Sequence, residues 1–242
     1  MPTTICLDFG NTRLKAALFT NDQLSEVIHL REDVFGHLLQ IIKQHQPHFS
    51  ILSSVINHSP EVETLLAGKT YFHKLSNLSE LPFTIPVGKP ETVGADRLAI
   101  AAAAVHYYPK KNNLMIALGS CITYNFINSS HQLIGGSISP GMEIRFKSLN
   151  DYTAKLPLVK GDWNVPLIGY DTLTNIQSGV VLGMAKEIDG MVDSYDEKFS
   201  NFNAVLTGGN LPFIVPHLKR EIFADPEILF KGLYAISQIN HI

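Results

Sequence analysis

The chain has 242 residues, 45% of them hydrophobic and 17% charged, a composition that excludes disordered and fibrous proteins and allows one or two domains. Its 19 basic and 22 acidic residues leave a net charge of −3, so no basic excess indicates nucleic acid as a partner. Two cysteines, short apolar runs and an N-terminus without a basic stretch lead us to expect a cytoplasmic protein with neither a disulfide scaffold nor a membrane partner.

The first half of the chain alternates strand and helix patterns. Residues 4–19 read as an apolar strand, a Gly/Asn turn and a second strand, and residues 24–30 give a third. Apolar spacing predicts a helix over residues 34–44, and the apolar run 49–56 predicts another buried strand. This alternation is typical of α/β folds.

The second half repeats this pattern at a constant offset of 109 residues, from Gly10 to Gly119. Residues 114–127 again give strand, glycine turn and strand, and residues 132–138 give a third strand. A gap-free overlay also matches Leu14 with Thr123 and Leu24 with Leu133. We therefore predict two related lobes, residues 1–110 and 111–242, with chance similarity of two hairpins as the alternative.

Three glycine turns follow apolar strands, at residues 10–12, 119–120 and 208–209. Glycine lets the backbone approach a phosphate closely, while neighbouring amides and hydroxyls donate hydrogen bonds. One such turn is typical of a plain hairpin, but three together favour a nucleotide cleft between two lobes. The sequence contains neither the P-loop pattern nor Gly-x-Gly-x-x-Gly, which excludes those two nucleotide folds.

Two carboxylates stand at positions suited to phosphoryl transfer. Asp8 lies two residues before the first glycine turn, where a carboxylate beside a phosphate would hold Mg²⁺ or, alternatively, cap the turn. Asp96 precedes the apolar helix 98–105 and is followed by Arg97. In a cleft, Asp96 could accept a proton from a hydroxyl while Arg97 binds a carboxylate or phosphate. A simple helix N-cap is the alternative for Asp96.

The order of these segments resembles the type III pantothenate kinase family of the actin-like superfamily, over nearly the whole chain. Residues 8–12 with Lys15 are similar to the family's first phosphate motif, and residues 94–97 (Gly-Ala-Asp-Arg) are similar to its pantothenate motif. Further similar segments follow in family order at residues 53–55, 135–141, 156–157, 172–179, 207–209 and 231–233.

The resemblance implies two actin-like, ribonuclease H-like lobes that use ATP to phosphorylate pantothenate to 4′-phosphopantothenate, the first step of coenzyme A biosynthesis. It implies that Asp96 is the general base, that Gly94, Ala95 and Arg97 bind pantothenate, and that Asp8 holds Mg²⁺. It also implies a homodimer in which Thr172 reaches the neighbouring subunit's substrate. The implied nucleotide-binding residues are Asp8, Gly10, Asn11, Thr12, Lys15, Gly119, Ser120, Cys121, Thr123, Gly208 and Gly209.

The sequence departs from the family pattern in three places. Ala117 replaces an aspartate that family members use near a monovalent cation, K⁺ or NH₄⁺, and Asn125 replaces an aspartate that often follows. Val87, expected in the pantothenate site, stands where many members have a tyrosine. These losses leave open a non-catalytic relative like the transcriptional accessory factors, and a kinase of another small hydroxy acid. The retained acidic and basic motif residues favour a working kinase with an altered cation site.

Overall fold

The computed structural model describes residues 2–86, 88–199 and 201–240. Two compact units divide the chain: unit 1 holds the described residues of Met1–Pro109, Ser130–Leu133 and Ile228–Ile242, and unit 2 holds those of Lys110–Ser129 and Ile134–Glu227. A five-stranded sheet forms the centre of each unit. Within the described ranges, no helix combines the length and apolar character that crossing a membrane requires.

Unit 1 places helices on both faces of its sheet, whose strand order is β3-β2-β1-β4-β5. Strand β1 is antiparallel to β2 and parallel to β4. The strands are β1 (Thr3–Phe9), β2 (Leu14–Thr20), β3 (Gln23–His29), β4 (Phe49–Ser54) and β5 (Tyr71–Lys74). The helices are α1 (Val34–His45), α2 (Pro60–Lys69) and α3 (Ala95–Tyr107), with a short 3₁₀ turn at Pro90–Thr92.

The alternation of side chains along β1 assigns its residues to two different layers. Leu7 and its β4 neighbour Leu52 belong to the apolar core that contains the buried side chains of α1 and α2. Cys6 and Asp8 therefore lie on the opposite face, which the last helix of the chain covers. The ring of Phe19 on β2 stacks there on Tyr234, with centroids 4.4 Å apart.

Unit 2 has the strand order β10-β9-β6-β7-β8. Its strands are β6 (Asn112–Leu118), β7 (Cys121–Ile127), β8 (Leu133–Pro140), β9 (Phe202–Thr207) and β10 (Phe223–Ala224). Its helices are α4 (Met142–Asp151), α5 (Thr172–Lys198) and α6 (Leu211–Ile214), followed by a 3₁₀ turn at Val215–His217. Buried residues of α5, including Met184 and Ile188, pack in the same apolar core as β6 and β7.

The two sheets share one topology, as expected for a duplicated unit. Reading the second sheet from β8 to β10 gives the order of the first sheet from β3 to β5. Strands β1 and β6 begin and end 109 residues apart, at Thr3–Phe9 and Asn112–Leu118, and the two strands have the same order of buried and partly buried residues. The offset found in the sequence therefore holds for the central strand of each unit.

The gap-free overlay is wrong by one residue beyond the glycine turn. The first turn is closed by the strand pair Phe9 and Leu14. The second is closed by Leu118 and Ile122 and is one residue shorter. Ile122, and not Thr123, is therefore the counterpart of Leu14. A hairpin absorbs such a deletion in its turn because the strand pairing on either side can be retained.

The C-terminal helix differs from the expected division into residues 1–110 and 111–242. Helix α7 (Ile228–Asn240) belongs to unit 1, where it packs against α3. The approach is so close that a Cβ on Gly232 would overlap the carbonyl oxygen of Ala99 and lie 3.2 Å from the amide nitrogen of Ala103. Small residues on both helices permit this contact, which sequence periodicity does not encode.

We expect Gly232→Ala to lower the free energy of unfolding by more than about 2 kcal/mol, because the added methyl group must push α3 and α7 apart. Gly190→Ala in α5 is the matched control, since a Cβ there meets no atom within 4 Å. That change should be neutral or stabilise by up to about 1 kcal/mol, because alanine favours helix. Urea unfolding of both variants measures the difference, and equal effects would contradict the close contact.

Candidate active site

The first glycine turn follows directly on β1. The amide of Gly10 donates a hydrogen bond to the carbonyl oxygen of Arg13 at 3.2 Å. A Cβ on Gly10 would lie 3.3 Å from that oxygen, so a larger residue would crowd the turn. Asn11 and Thr12 are exposed at its tip. The turn thus exposes the side-chain amide of Asn11 and the hydroxyl of Thr12, three and four residues after Asp8.

Asp8 lies in an acidic pair with Asp96, within unit 1. Burial, followed by the charge of Asp96, raises the pKa of Asp8 from 3.8 to about 7, while Lys15 opposes the shift. Lys15 is the cross-strand partner of Asp8 in the β1–β2 ladder. Burial in turn lowers the pKa of Lys15. Two carboxylates that repel each other in a partly buried place are typical of a functional site.

Asp96 lies inside the first turn of α3, and Gly94 is the N-cap residue. The Oδ1 atom of Asp96 accepts a hydrogen bond from the amide of Arg97 at 2.9 Å. Burial raises the pKa of Asp96, although that amide and the Arg97 charge oppose the shift. The simple N-cap alternative is therefore wrong, and the raised pKa makes Asp96 a better proton acceptor than an ordinary aspartate.

The second glycine turn, in unit 2, contacts the start of α4. The amide of Gly119 donates to the carbonyl oxygen of Cys121 at 3.1 Å, and the amide of Gly141 donates to that of Ser120 at 3.0 Å. A Cβ on Gly141 would overlap the carbonyl oxygen of Gly119. Gly141 thus lets the N-terminus of α4 lie directly against the turn. Sequence reasoning quoted Gly141 in a motif but did not assign it to the site.

The third glycine turn also reaches this place in unit 2. Gly208 has a φ of 107°, which favours glycine, and a Cβ there would overlap the carbonyl oxygen of Leu118. The amide of Asn210 donates to the same oxygen at 3.3 Å. Gly209 is exposed beside it. The structure therefore brings the turns at Gly119 and Gly208 together, as a phosphate-binding role requires.

Thr123 lies inside unit 2, unlike the exposed turn residues. It pairs with Ala117 in the β6–β7 ladder, as Lys15 pairs with Asp8 in unit 1. Its hydroxyl accepts a hydrogen bond from the side chain of Asn125 at 3.2 Å. An internal partner already engages this hydroxyl, so the expected nucleotide contact of Thr123 gains no support from the structure.

Thr172 is the first residue of α5 and is exposed. Asp171 and Thr174 form a reciprocal capping box that fixes this helix start. Thr172 lines a cavity of about 670 Å³ in unit 2, together with residues of α4 such as Arg145 and Leu149. Val87, the other residue expected near pantothenate, lies outside the described residues.

The carboxylate of Asp8 fits a Mg²⁺ ion that is bound mainly by phosphate and water. Within the described ranges, no group of three or more His, Cys, Asp or Glu side chains could hold a metal by itself. Mg²⁺ in phosphoryl-transfer enzymes uses one or two carboxylates and takes its other ligands from phosphates and water. The single carboxylate of Asp8 would therefore be sufficient as the protein ligand of such an ion.

A family model for type III pantothenate kinase matches residues 4–194. A type III pantothenate kinase of Christiangramia forsetii is 40% identical over 238 residues and covers 98% of this chain and 98% of its own. The chain belongs to the type III pantothenate kinase family. A second type III pantothenate kinase, from Cytophaga hutchinsonii, is 38% identical and covers 98% of this chain and 99% of its own.

Solved structures support the predicted fold of this pantothenate kinase family member. A Baf family transcriptional activator from Campylobacter jejuni aligns with a TM-score of 0.61 at 19% identity, over 98% of each chain. A glucokinase from an Antarctic psychrotroph aligns with a TM-score of 0.51 at 10% identity, over 99% of each chain. At these identities the likeness shows the fold alone, and it confirms the predicted actin-like α/β class.

We expect Asp8→Asn to stabilise the metal-free protein more at high pH than at low pH. Because the folded state raises the pKa of Asp8 to about 7, folding favours the protonated form, and stability is lost as pH rises from about 4 through 7. Asparagine removes this loss. The gain in unfolding free energy should be on the order of 2 kcal/mol larger at pH 8 than at pH 5.

Urea unfolding in EDTA at the two pH values measures this difference. Asp193→Asn is the control, because Asp193 is exposed and paired with Arg220 on the surface. Its effect should not grow with pH over this range. If Asp8→Asn changed the unfolding free energy equally at both pH values, folding would not raise the pKa of Asp8, and the prediction would be wrong.

Proposed function

We infer that this chain phosphorylates pantothenate with ATP, in the first step of coenzyme A biosynthesis. The observation that carries the inference is the membership in the type III pantothenate kinase family over nearly the full chain. The acidic pair of Asp8 and Asp96 agrees with it, because a non-catalytic relative has no need to retain two mutually repelling, partly buried carboxylates. The accessory-factor alternative is therefore not favoured.

The general base in this proposal is Asp96. The primary hydroxyl oxygen of pantothenate bonds to the γ-phosphorus of ATP, the bond from that phosphorus to the β–γ bridging oxygen breaks, and ADP leaves. The hydroxyl proton passes to the carboxylate of Asp96. The raised pKa of Asp96 supports this role, because a stronger base shares the proton better in the transition state.

Substrate binding is assigned to the groups around these carboxylates. Arg97, with its planar guanidinium, is suited to the carboxylate of pantothenate, and the backbone at Gly94 and Ala95 lies at the start of the same helix. The phosphate groups of ATP are assigned to the turns at Gly10, Gly119 and Gly208. Lys15 supplies positive charge next to Asp8.

Asp8 is assigned to Mg²⁺. When bound, the ion neutralises charge on the phosphate oxygens during transfer. A monovalent cation has weaker support, because Ala117 provides no carboxylate and the nearby Thr123 hydroxyl is engaged by Asn125. Oxygens of Ser120 or backbone carbonyls would have to hold K⁺ or NH₄⁺, so we propose only weak dependence on such an ion.

A homodimer is proposed from the surface around Thr172. The loop before α5 exposes Leu167, Ile168 and Tyr170 by more than 80% each, and this apolar character is typical of an interface. The cavity lined by Thr172 lies beside the start of α5. A second copy that covers this surface would bring a Thr172 hydroxyl to its neighbour. The cytoplasmic location stays a prediction from the sequence.

We expect Asp96→Asn to lower kcat by roughly 100-fold or more, because asparagine keeps the shape but cannot accept the hydroxyl proton. A coupled assay of ADP release with pantothenate, and with a panel of other small hydroxy acids, measures both the loss and the substrate. Asp193→Asn should retain wild-type turnover. If Asp96→Asn kept more than about a tenth of the activity, Asp96 would only organise the helix start.

Mixing two weakly active proteins tests the shared site. One carries Asp96→Asn and the other Thr172→Ala, and each homodimer lacks one group at both of its sites. A mixed dimer regains one complete site, so turnover should rise towards a quarter of the wild-type value after random subunit exchange. If mass measurement confirmed subunit exchange but turnover did not rise, Thr172 would act within its own subunit and not in the partner's site.

A further inference from the structure

Ser53, near the end of β4, has a buried hydroxyl group without a protein partner. Its side chain is 0% exposed, and its Oγ forms no hydrogen bond within residues 2–86, 88–199 and 201–240. Burying an unpaired hydroxyl destabilises a protein, because the group loses its hydrogen bonds to water. A residue that the fold holds in this unfavourable state points to a ligand or a neighbouring group that uses it.

The strand register puts Ser53 beside Asp8. Strands β1 and β4 are parallel, and Ser53 is the direct partner of Asp8. Partners in adjacent strands point to the same face of a sheet. The preceding pair, Leu7 and Leu52, lies in the α1–α2 core, so Asp8 and Ser53 share the opposite face. Helix α3, which carries Asp96, also contacts β4.

The two other serines of β4, Ser50 and Ser54, both have hydrogen-bond partners within the protein. Ser50 is also 0% exposed, but its Oγ bonds to the hydroxyl of Thr70 at 2.5 Å. The hydroxyl of Ser54 donates to the carbonyl oxygen of Ile56 at 3.0 Å. Ser53 differs from both, because its Oγ has no hydrogen-bond partner among the described residues and its direct neighbour in β1 is Asp8.

We propose that Ser53 is a positioning residue for Asp8: its hydroxyl donates a hydrogen bond to the Asp8 carboxylate, directly or through one water, in the substrate-loaded enzyme. The proposal rests on the proposed role of Asp8. An ionised carboxylate only accepts hydrogen bonds, and a serine hydroxyl can donate one. Hydrogen bonds to charged groups are about twice as strong as neutral ones. Ser53 thereby holds Asp8 in one orientation when it faces the bound phosphates.

The test compares Ser53→Ala with Ser50→Ala. Without ligand, Ser53→Ala should melt no lower than wild type, because the lost hydroxyl had no partner, whereas Ser50→Ala should melt lower. The rise in melting temperature that Mg²⁺·ATP produces should shrink in Ser53→Ala and stay normal in Ser50→Ala. The value of kcat/KM for Mg²⁺·ATP should fall roughly tenfold or more in Ser53→Ala, the effect of one charge-assisted hydrogen bond.

Combination with Asp8→Asn decides whether Ser53 acts through Asp8. In that background, Ser53→Ala should change kcat/KM by less than about twofold, because the acceptor charge is already gone. Independent, multiplying losses would overturn the proposal, as would an unchanged kcat/KM in the single variant. If Asp8→Asn alone had full activity, the proposed role of Asp8 would fail as well. If kcat/KM fell in Asp8→Asn but not in Ser53→Ala, only the proposed role of Ser53 would be refuted.

Discussion

The burial of two carboxylates, Asp8 and Asp96, is the constraint on which the candidate site of unit 1 depends. Each carboxylate has its pKa raised by burial, so the folded chain carries an unfavourable electrostatic energy before any substrate binds. Lys15, the Arg97 guanidinium and the amide at the start of α3 offset part of it. A bound Mg²⁺ ion would offset more of it, which would link the stability of this region to metal binding.

Close backbone contacts fix candidate functional groups within each unit separately. In unit 1, the contact of Gly232 with α3 fixes the helix that carries Asp96. In unit 2, Gly141 and Gly208 allow three backbone segments to meet near the second turn. Each contact depends on the absence of a side chain, so the geometry is set by rigid backbone and not by flexible groups. Rigid supports of this kind suit a reaction that relies on positioning.

Much of the architecture could be predicted from the sequence, because it is encoded locally. Strand, turn and strand patterns gave the duplicated hairpins, and the residues near Asp8 and Asp96 follow a motif order that the family shares. The position of α7 could not be predicted in this way, since its partner α3 lies more than a hundred residues earlier. The one-residue shorter turn at Gly119 was missed because the overlay assumed equal loops. Residues 53–55 resemble a family segment, but the place of Ser53 beside Asp8 depends on strand register, which the sequence does not show.

Because α7 belongs to unit 1 but follows unit 2 in the sequence, unit 1 can be completed only after the whole of unit 2 has been synthesised. All of unit 2 leaves the ribosome before Gly232 does, since α7 begins only at Ile228. Until then, the small-residue surface of α3 and the β1 face that carries Cys6 have no cover. The nascent chain can complete its second unit while its first is unfinished.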